Sequence, residues 1–391
     1  MVIEKIHLTQ FRNYSSLTLE PHPATNLFFG FNGSGKTNLL EAIHYCSLGK
    51  SHRTAMDRNV IREGESFCQC EIRVRNRFTA QNIVLRLLKD ASTAKIIMID
   101  QKKVTRFSEL MGCLQTVIFS PEDLGIIKEG PSQRRRFLDM MISQTDREYF
   151  IALQTYKAAM EQRNSILRQF QMKGRRDDRI LESFDDVLVQ NAEIIVRRRA
   201  SVILLLSEMV KNIYAKISGT EKESFEVFYH SCVRNKDHPA DELKKMYADS
   251  RENDVHTGIT NAGPHREDIV ATLERKNMKQ FASQGQIRTG ALSLKLAQMK
   301  VIRSLTGENP VLLLDDVMSE LDGNRRSRLV REIHEYQTFI TFADQNDYQI
   351  NSNNRVYKVQ SSENEGSILK ISDGERFFTE NPKFLEEPVF D

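Results

Sequence analysis

No run of apolar residues in this chain approaches the length needed to cross a bilayer, which argues against a membrane-embedded class. The opening Met1-Val2-Ile3-Glu4-Lys5 passes straight into an alternating strand pattern and has no signal-peptide layout. Cysteine is scarce and odd in number: five in 391 residues, with only Cys68 and Cys70 close together. That count is wrong for a disulfide framework and fits a reducing compartment, so a cytoplasmic location is expected. A single C-x-C pair is also too little for a zinc site. Internal repeats and low-complexity stretches are missing as well. The net charge of +3 selects no partner by itself.

What is present describes a globular protein, with 40% apolar and 28% charged residues. The length allows two domains, or one large domain with an insertion. Gly30-Phe31-Asn32-Gly33-Ser34-Gly35-Lys36-Thr37 reads G-x-x-x-x-G-K-T, a phosphate-binding loop. The apolar run ending at Phe29 reads as a buried strand, and Asn38 to Leu48 as a helix. Glycines let backbone N–H groups turn inward around phosphate oxygens, and the helix start adds partial positive charge. Lys36 can reach the outer phosphates and the Thr37 hydroxyl can ligate Mg²⁺. Arg53, in the polar loop beyond the helix, is placed to approach bound phosphate.

Strand patterns recur at Cys70–Val74, Ile83–Leu88 and Lys95–Ile99, and predict an antiparallel sheet beside the nucleotide. Val117-Ile118-Phe119 reads as a buried strand closed by Ser120-Pro121-Glu122-Asp123, a helix start with serine as N-cap. The organisation then turns helical. One helix is expected from Asp146 to about Gln171, carrying Phe150, Leu153, Met160 and Leu167 on one face. A second is expected over 181–217, with Leu188, Ile195, Val202 and Met209 at seven-residue steps. At 1.5 Å per residue it would extend on the order of 50 Å, the reach of a lever, although ordinary bundle packing is an equal alternative. Arg134-Arg135-Arg136, Lys173-Gly174-Arg175-Arg176, Arg197-Arg198-Arg199 and Arg325-Arg326 suit either a polyanion or solvated helix faces. His265 and Arg266, in the turn 261–268, suit either a functional role or a hydrogen-bonded corner. After about Ser372 a loosely held polar tail is expected.

Two further stretches complete an ATP site. Ser283-Gln284-Gly285-Gln286-Ile287-Arg288-Thr289 is expected just before a helix over 290–305. A serine hydroxyl and glycine backbone at such a helix start, Ser283 and Gly285 with Gln286 beside them, suit a γ-phosphate. Val311-Leu312-Leu313-Leu314-Asp315-Asp316 is a buried strand delivering carboxylates at its C-terminal end. Asp315 is placed to hold Mg²⁺ through water, and Asp316 to orient or deprotonate the attacking water.

These motifs, with Phe11-Arg12-Asn13-Tyr14, Gly33 to Ala42, Phe119 to Leu124, Gly263 to Arg266 and Leu313 to Asp322, resemble the RecF family along essentially the whole chain. RecF proteins are bacterial recombination mediators within the ABC ATPases that include SMC proteins. The resemblance implies an α/β fold: an ABC-type P-loop ATPase head, with a mixed sheet and an antiparallel β subdomain, plus an α-helical second lobe. It implies head segments at 1–120 and 256–391 with a helical lobe at 121–255. It adds Arg12, Asn13 and Asn38 to the candidate nucleotide-binding residues, and ATP and Mg²⁺ as ligands. It further implies ATP-dependent homodimerisation, with Ser283 of one subunit meeting the γ-phosphate held by the other. DNA binding at gaps or junctions, action with RecR and RecO, and loading of RecA follow by the same resemblance.

Two features depart from the ABC pattern. Asp316 stands where glutamate is usual, and no switch histidine follows Phe339-Ile340-Thr341-Phe342, where Ala343 and Asp344 come next. A shorter base and no histidine imply slow hydrolysis; the Q-loop glutamine is also not evident at Ser120-Pro121-Glu122. A metabolic P-loop kinase is opposed by the Ser-Gln-Gly-Gln stretch and the helical insertion. A scaffold with a vestigial site is opposed by an intact Lys36, Thr37 and Asp315.

Overall fold

The computed structural model describes residues 1–54, 56–89, 95–173, 176–342, 354–362 and 366–373. The segment expected to hold a switch residue, at Ala343 and Asp344, and the polar tail both lie outside the described residues. Contacts divide the chain into two units, Met1–Asp123 with Ile302–Asp391, and Leu124–Val301. Residues 256–301, expected with the head, thus pack within the second unit.

In the first unit, the described strands form one twelve-stranded sheet. Five parallel neighbours carry the ligand-binding end: Asn354–Ser362, Thr25–Phe29, Thr338–Phe342, Val311–Asp315 and Thr116–Phe119. Their apolar runs are continuous because both faces of a parallel sheet are covered. Phe28 stacks between Phe339 and Tyr357 at centroid distances of 6.1 and 4.6 Å. The helix Lys36–Leu48 packs beneath with Leu39, Leu40 and Ile43 fully buried. The remaining strands are antiparallel, including the meander Phe67–Arg75, Ala80–Leu88 and Lys95–Ile99 against Val2–Phe11. Here apolar residues alternate with polar ones, as Cys70, Ile72 and Val74 do with Glu71, Arg73 and Arg75, so one face is buried. After Phe119 the serine–proline start produces only a 3₁₀ turn, Pro121–Leu124, and a four-residue helix, Gly125–Lys128.

The second unit is a helical bundle with a three-stranded sheet, Lys276–Asn277, Asp268–Leu273 and Phe225–His230. Its long helices are Arg147–Lys173 and Asp178–Ser218. Leu188, Ile195 and Val202 are buried along the second, together with eleven other residues of that helix, while Met209, the fourth of the seven-step series, is only half-buried. It is therefore a packed core element rather than a lever. On the partner helix the buried face is Tyr149, Leu153, Tyr156, Arg163 and Leu167, while Phe150 and Met160 are only half-buried. The shift arises because tyrosines and an arginine take core positions there.

Internal ion pairs consume much of the arginine clustering. Arg199 is buried and donates to Asp139, Glu267, the Tyr149 hydroxyl and the Pro264 carbonyl at 2.7–3.1 Å. Arg134 makes a two-pronged pair with Asp268 at 2.7 and 2.8 Å, and Arg198 pairs with Asp146 at 2.7 Å. A second buried cation, Arg163, binds Asp185 and Asp254 at 2.9 and 2.7 Å. Removing one partner of such a pair leaves an uncompensated buried charge, at a cost of about 3–5 kcal/mol.

The turn at 261–268 is a structural corner. Gly263 has φ 122°, and a Cβ there would lie 2.4 Å from both the Tyr156 and Tyr247 hydroxyls, so only glycine fits. His265 sits between the Tyr156 hydroxyl at 2.7 Å and the Thr260 carbonyl at 2.9 Å. Burial pushes its imidazole down to about 4; Arg266 and Arg135 reinforce this, while the Thr260 carbonyl and Asp254 oppose it. The folded value lies below the unfolded one, so the contribution is complete above about pH 6.5 and is lost as pH falls towards 4. The thermal midpoint should therefore fall less between pH 7.5 and 4.5 in His265→Gln than in the unmodified chain, by an amount equivalent to about 3 kcal/mol at most. Equal acid sensitivity of the two proteins in thermal denaturation would remove His265 from this role.

Candidate nucleotide site

The loop from Gly30 to Gly35 joins the strand Thr25–Phe29 to the helix Lys36–Leu48. A Cβ at Gly30 would come within 2.2 Å of the Val359 carbonyl oxygen on the neighbouring strand, so the chain passes only because glycine stands there. Gly35 ends the loop at φ 112°, and the helix starts with no side-chain cap and no acid in its first turn. Its leading N–H groups are thus left for an anion. Phe31, Asn32 and Gly33 are exposed on the rim, and Ser34 is buried, with its N–H donating to the Phe31 carbonyl at 3.1 Å.

Lys36 folds back over this loop and donates to the carbonyls of Gly30 and Phe31 at 2.7 and 3.1 Å. Burial pulls its ammonium pKa below the ordinary value, against the opposing charges of Asp316 and Asp315. An ammonium held at the loop's mouth among carbonyls and carboxylates is suited to phosphate oxygens. Thr37 donates to Asp315 Oδ1 at 2.9 Å, and Thr341 donates to the same oxygen at 2.7 Å. The Asp316 N–H donates to Thr341 Oγ1 at 3.0 Å, and Asp316 itself takes φ 53°, a left-handed turn that redirects the chain at the strand's end. A hydroxyl with one carboxylate fits Mg²⁺, which prefers few protein oxygens and completes its shell with water and phosphate. No cluster of three or more His, Cys, Asp or Glu side chains that could hold a metal occurs among the described residues.

The Phe11-Arg12-Asn13-Tyr14 segment lies beside the loop as a brace. Arg12 donates to both oxygens of Glu41 at 3.0 and 2.7 Å and to the Asn59 carbonyl at 2.6 Å. Asn13 Oδ1 accepts from Asn38 at 2.7 Å, Asn38 Oδ1 accepts from Arg53 at 2.9 Å, and the Tyr14 hydroxyl donates to the Gly35 carbonyl at 3.0 Å. Glu41 is fully buried. Burial alone would raise its carboxyl, but bonds from Arg12 and Ser51 and the charges of Arg12 and Arg53 hold it below the usual carboxylate range. Glu41, Ser51, Tyr14 and Thr341 were missed as site residues by sequence reasoning. Glu41 sits one turn after Thr37, and a carboxylate set between Leu39-Leu40 and Ala42-Ile43 was the available signal.

Ser283 lies in the second unit. The helix here is Gln284–Thr306, beginning six residues before the expected start, so Gly285 and Gln286 are in its first turn. Ser283 Oγ accepts from the Gln286 N–H at 3.2 Å, and Gln286 Oε1 accepts from the Ser283 N–H at 2.9 Å. This reciprocal cap fixes the serine at the helix start. Ser283 is exposed and its hydroxyl proton remains available to an acceptor.

The family model for the RecF/RecN/SMC N-terminal domain matches residues 2–367. A DNA replication and repair protein RecF from Clostridium kluyveri is 40% identical over 342 residues, spanning 87% of this chain and 92% of the relative. Its counterpart from Lactobacillus gasseri is 39% identical over 351 residues, spanning 88% and 93%. A solved structure of the recombination mediator protein RecF with ATP, from the RecFOR pathway, has a TM-score of 0.86 at 33% identity, covering 95% of this chain and 97% of that one. An Smc head domain from Pyrococcus furiosus shares the fold, at TM-score 0.57 and 17% identity over 98% of this chain and 100% of that one.

Lys36→Ala removes the ammonium but little packing, so ATP affinity should fall by about a hundredfold or more with the fold retained. Calorimetry showing unchanged affinity, alongside an unchanged circular dichroism spectrum, would exclude the loop as the nucleotide site.

Proposed function

Because the chain belongs to the RecF family of DNA replication and repair proteins, we propose that it is an ATP-switched, DNA-binding recombination mediator that works as a dimer. One observation carries this reading: the groups suited to phosphate and Mg²⁺ converge at Lys36, Thr37 and Asp315, while Ser283 stands capped and exposed on a helix of the other unit. Two copies facing each other would complete both sites, each Ser283 meeting the γ-phosphate held by the other chain. Nucleotide then becomes part of an isologous interface, and its binding energy drives association.

Within each site, the loop N–H groups and Lys36 bind and orient the phosphates, with Asn32 and Gly33 on the rim and Ser34 buried behind them. Arg12, Asn13, Asn38 and Arg53 act together as the frame that keeps the helix start in place. Thr37 and Asp315 hold Mg²⁺, which supplies positive charge to the phosphate oxygens. Asp316 orients water and accepts its proton. An aspartate reaches one methylene less far than glutamate, which makes the site a slow ATPase, well below the roughly 1–100 s⁻¹ of kinases. Slow turnover suits a switch that must stay closed on DNA.

The relatives' role as DNA replication and repair proteins supports DNA as the partner, at gaps or single-strand/double-strand junctions. The RecFOR pathway of the solved relative supports action with RecO and RecR to load RecA, in the cytoplasm. Arg134, Arg198 and Arg199 are committed to internal acids, so DNA contact is assigned to other basic side chains.

Ser283→Arg places a bulky cation at the shared face. It should abolish ATP-dependent dimerisation and the DNA binding that accompanies it, leaving only weaker monomeric ATP binding. Light scattering and a DNA titration with ATP and with ADP decide this. A normal ATP-dependent dimer of the variant would show that the Ser283 helix does not face the partner.

A further inference from the structure

Two phenylalanines stand in solvent beside the two halves of the site. Phe31, on the loop itself, is 90% exposed. Phe281, two residues before Ser283, is 67% exposed. Neither ring hangs from a loose segment. The Phe31 carbonyl accepts from both Lys36 Nζ and the Ser34 N–H at 3.1 Å, which fixes its backbone against the loop. Phe281 ends the turn Met278–Phe281, which is anchored by a fully buried Met278, an Asn277 cap and the bond from the Ala282 N–H to the Met278 carbonyl at 3.1 Å. The backbone beside each ring is thus held while most of the side chain stands in solvent.

A fixed, exposed aromatic ring is costly in a monomer, since Phe buries about 150–250 Å² when it packs. The positions of these two rings suggest what covers them. Phe31 lies one hydrogen bond from the ammonium that takes the phosphates. Phe281 lies within about 7 Å of Ser283 along the chain, two residues at most 3.6 Å each. If Lys36 of one copy and Ser283 of the other share a phosphate, the two rings are brought within reach of each other, since aromatic pairs engage at centroid distances of about 4.5–7 Å.

The geometry points to an aromatic clamp between two copies of this chain: Phe31 of each packs against Phe281 of the other when the shared sites close. The inference rests on the reading of Ser283 as a partner-facing group. Its consequence is that nucleotide-driven closure also removes apolar surface from water, so association has a component that polar contacts alone do not supply. Open monomers keep both rings wet, and opening the dimer exposes all four. The clamp therefore adds to the discrimination between closed and open states without touching the phosphates.

The test is a double-mutant cycle on ATP-dependent dimerisation, measured by sedimentation with a non-hydrolysable ATP analogue. Phe31→Ser and Phe281→Ser should each weaken dimerisation by about tenfold, counting two pairs per dimer. The double variant should be no weaker than about the worse single, because each substitution removes the same contact. Phe281→Ser should also change the thermal midpoint of the monomer little, since most of the residue stands in solvent there. Additive losses, or a loss for Phe31→Ser with none for Phe281→Ser, would overturn the pairing while the ATP-dependent dimer itself stands. An unmodified chain that stays monomeric with the analogue would overturn the dimer reading and the clamp with it.

Discussion

The hydrogen bond from Thr37 to Asp315 joins residues 278 positions apart and is the contact on which the site depends. It closes the phosphate loop's helix against the end of the strand Val311–Asp315, and Thr341 on the next strand grips the same carboxylate oxygen. Both strands are buried along their length, so the carboxylate is presented by rigid elements rather than by a loop. That rigidity matters because a metal held by so few protein groups tolerates little displacement of either. The parallel order of the strands places all their C-terminal ends together, which is where such sheets bind ligands.

A second constraint is the buried charge of Glu41. A carboxylate in an apolar interior is stable only with close cationic and hydrogen-bonding partners, and Arg12, Ser51 and Arg53 provide them. The result is that the N-terminal Arg12, the phosphate-loop helix and the loop behind it are locked into one arrangement. Arg12 also adopts φ 55°, a strained conformation that the same bonds hold in place. This explains why the Phe11-Arg12-Asn13-Tyr14 segment accompanies the loop: three consecutive side chains reach Glu41, Asn38 and Gly35 in turn.

Much of this was legible in the residues. Glycine spacing, an apolar run ending in Asp315, and strand alternation are local signals, and the corresponding elements lie within a few residues of where they were expected. What escaped sequence reasoning depends on distant partners. Arg199 was open to either a polyanion or a solvated helix face, and is neither, because its partners Glu267 and Asp139 lie some sixty residues away on either side. The helix Asp178–Ser218 had the length of a lever, and only its neighbours, the helix Arg147–Lys173 and the strand Phe225–His230, make it a core element. The start of the Gln284–Thr306 helix was misplaced because the stretch Ser283 to Thr289, with its polar residues and Gly285, was set before the helix rather than in it. The Ser-x-x-Gln spacing of a capping box at 283–286 was the local signal pointing the other way.

The central claim is that each nucleotide site is built from two chains, and mixing two variants tests it most directly. Lys36→Ala chains lack one half of each site, and Ser283→Ala chains lack the other. A mixed dimer has one site with both halves intact only if Ser283 acts across the interface. The account predicts that ATP turnover of the mixture exceeds the sum of the separate variants and approaches roughly a quarter of the unmodified rate, from half the dimers with one of two sites each. Turnover equal to that sum would mean that each chain uses its own Ser283, and would contradict the shared site.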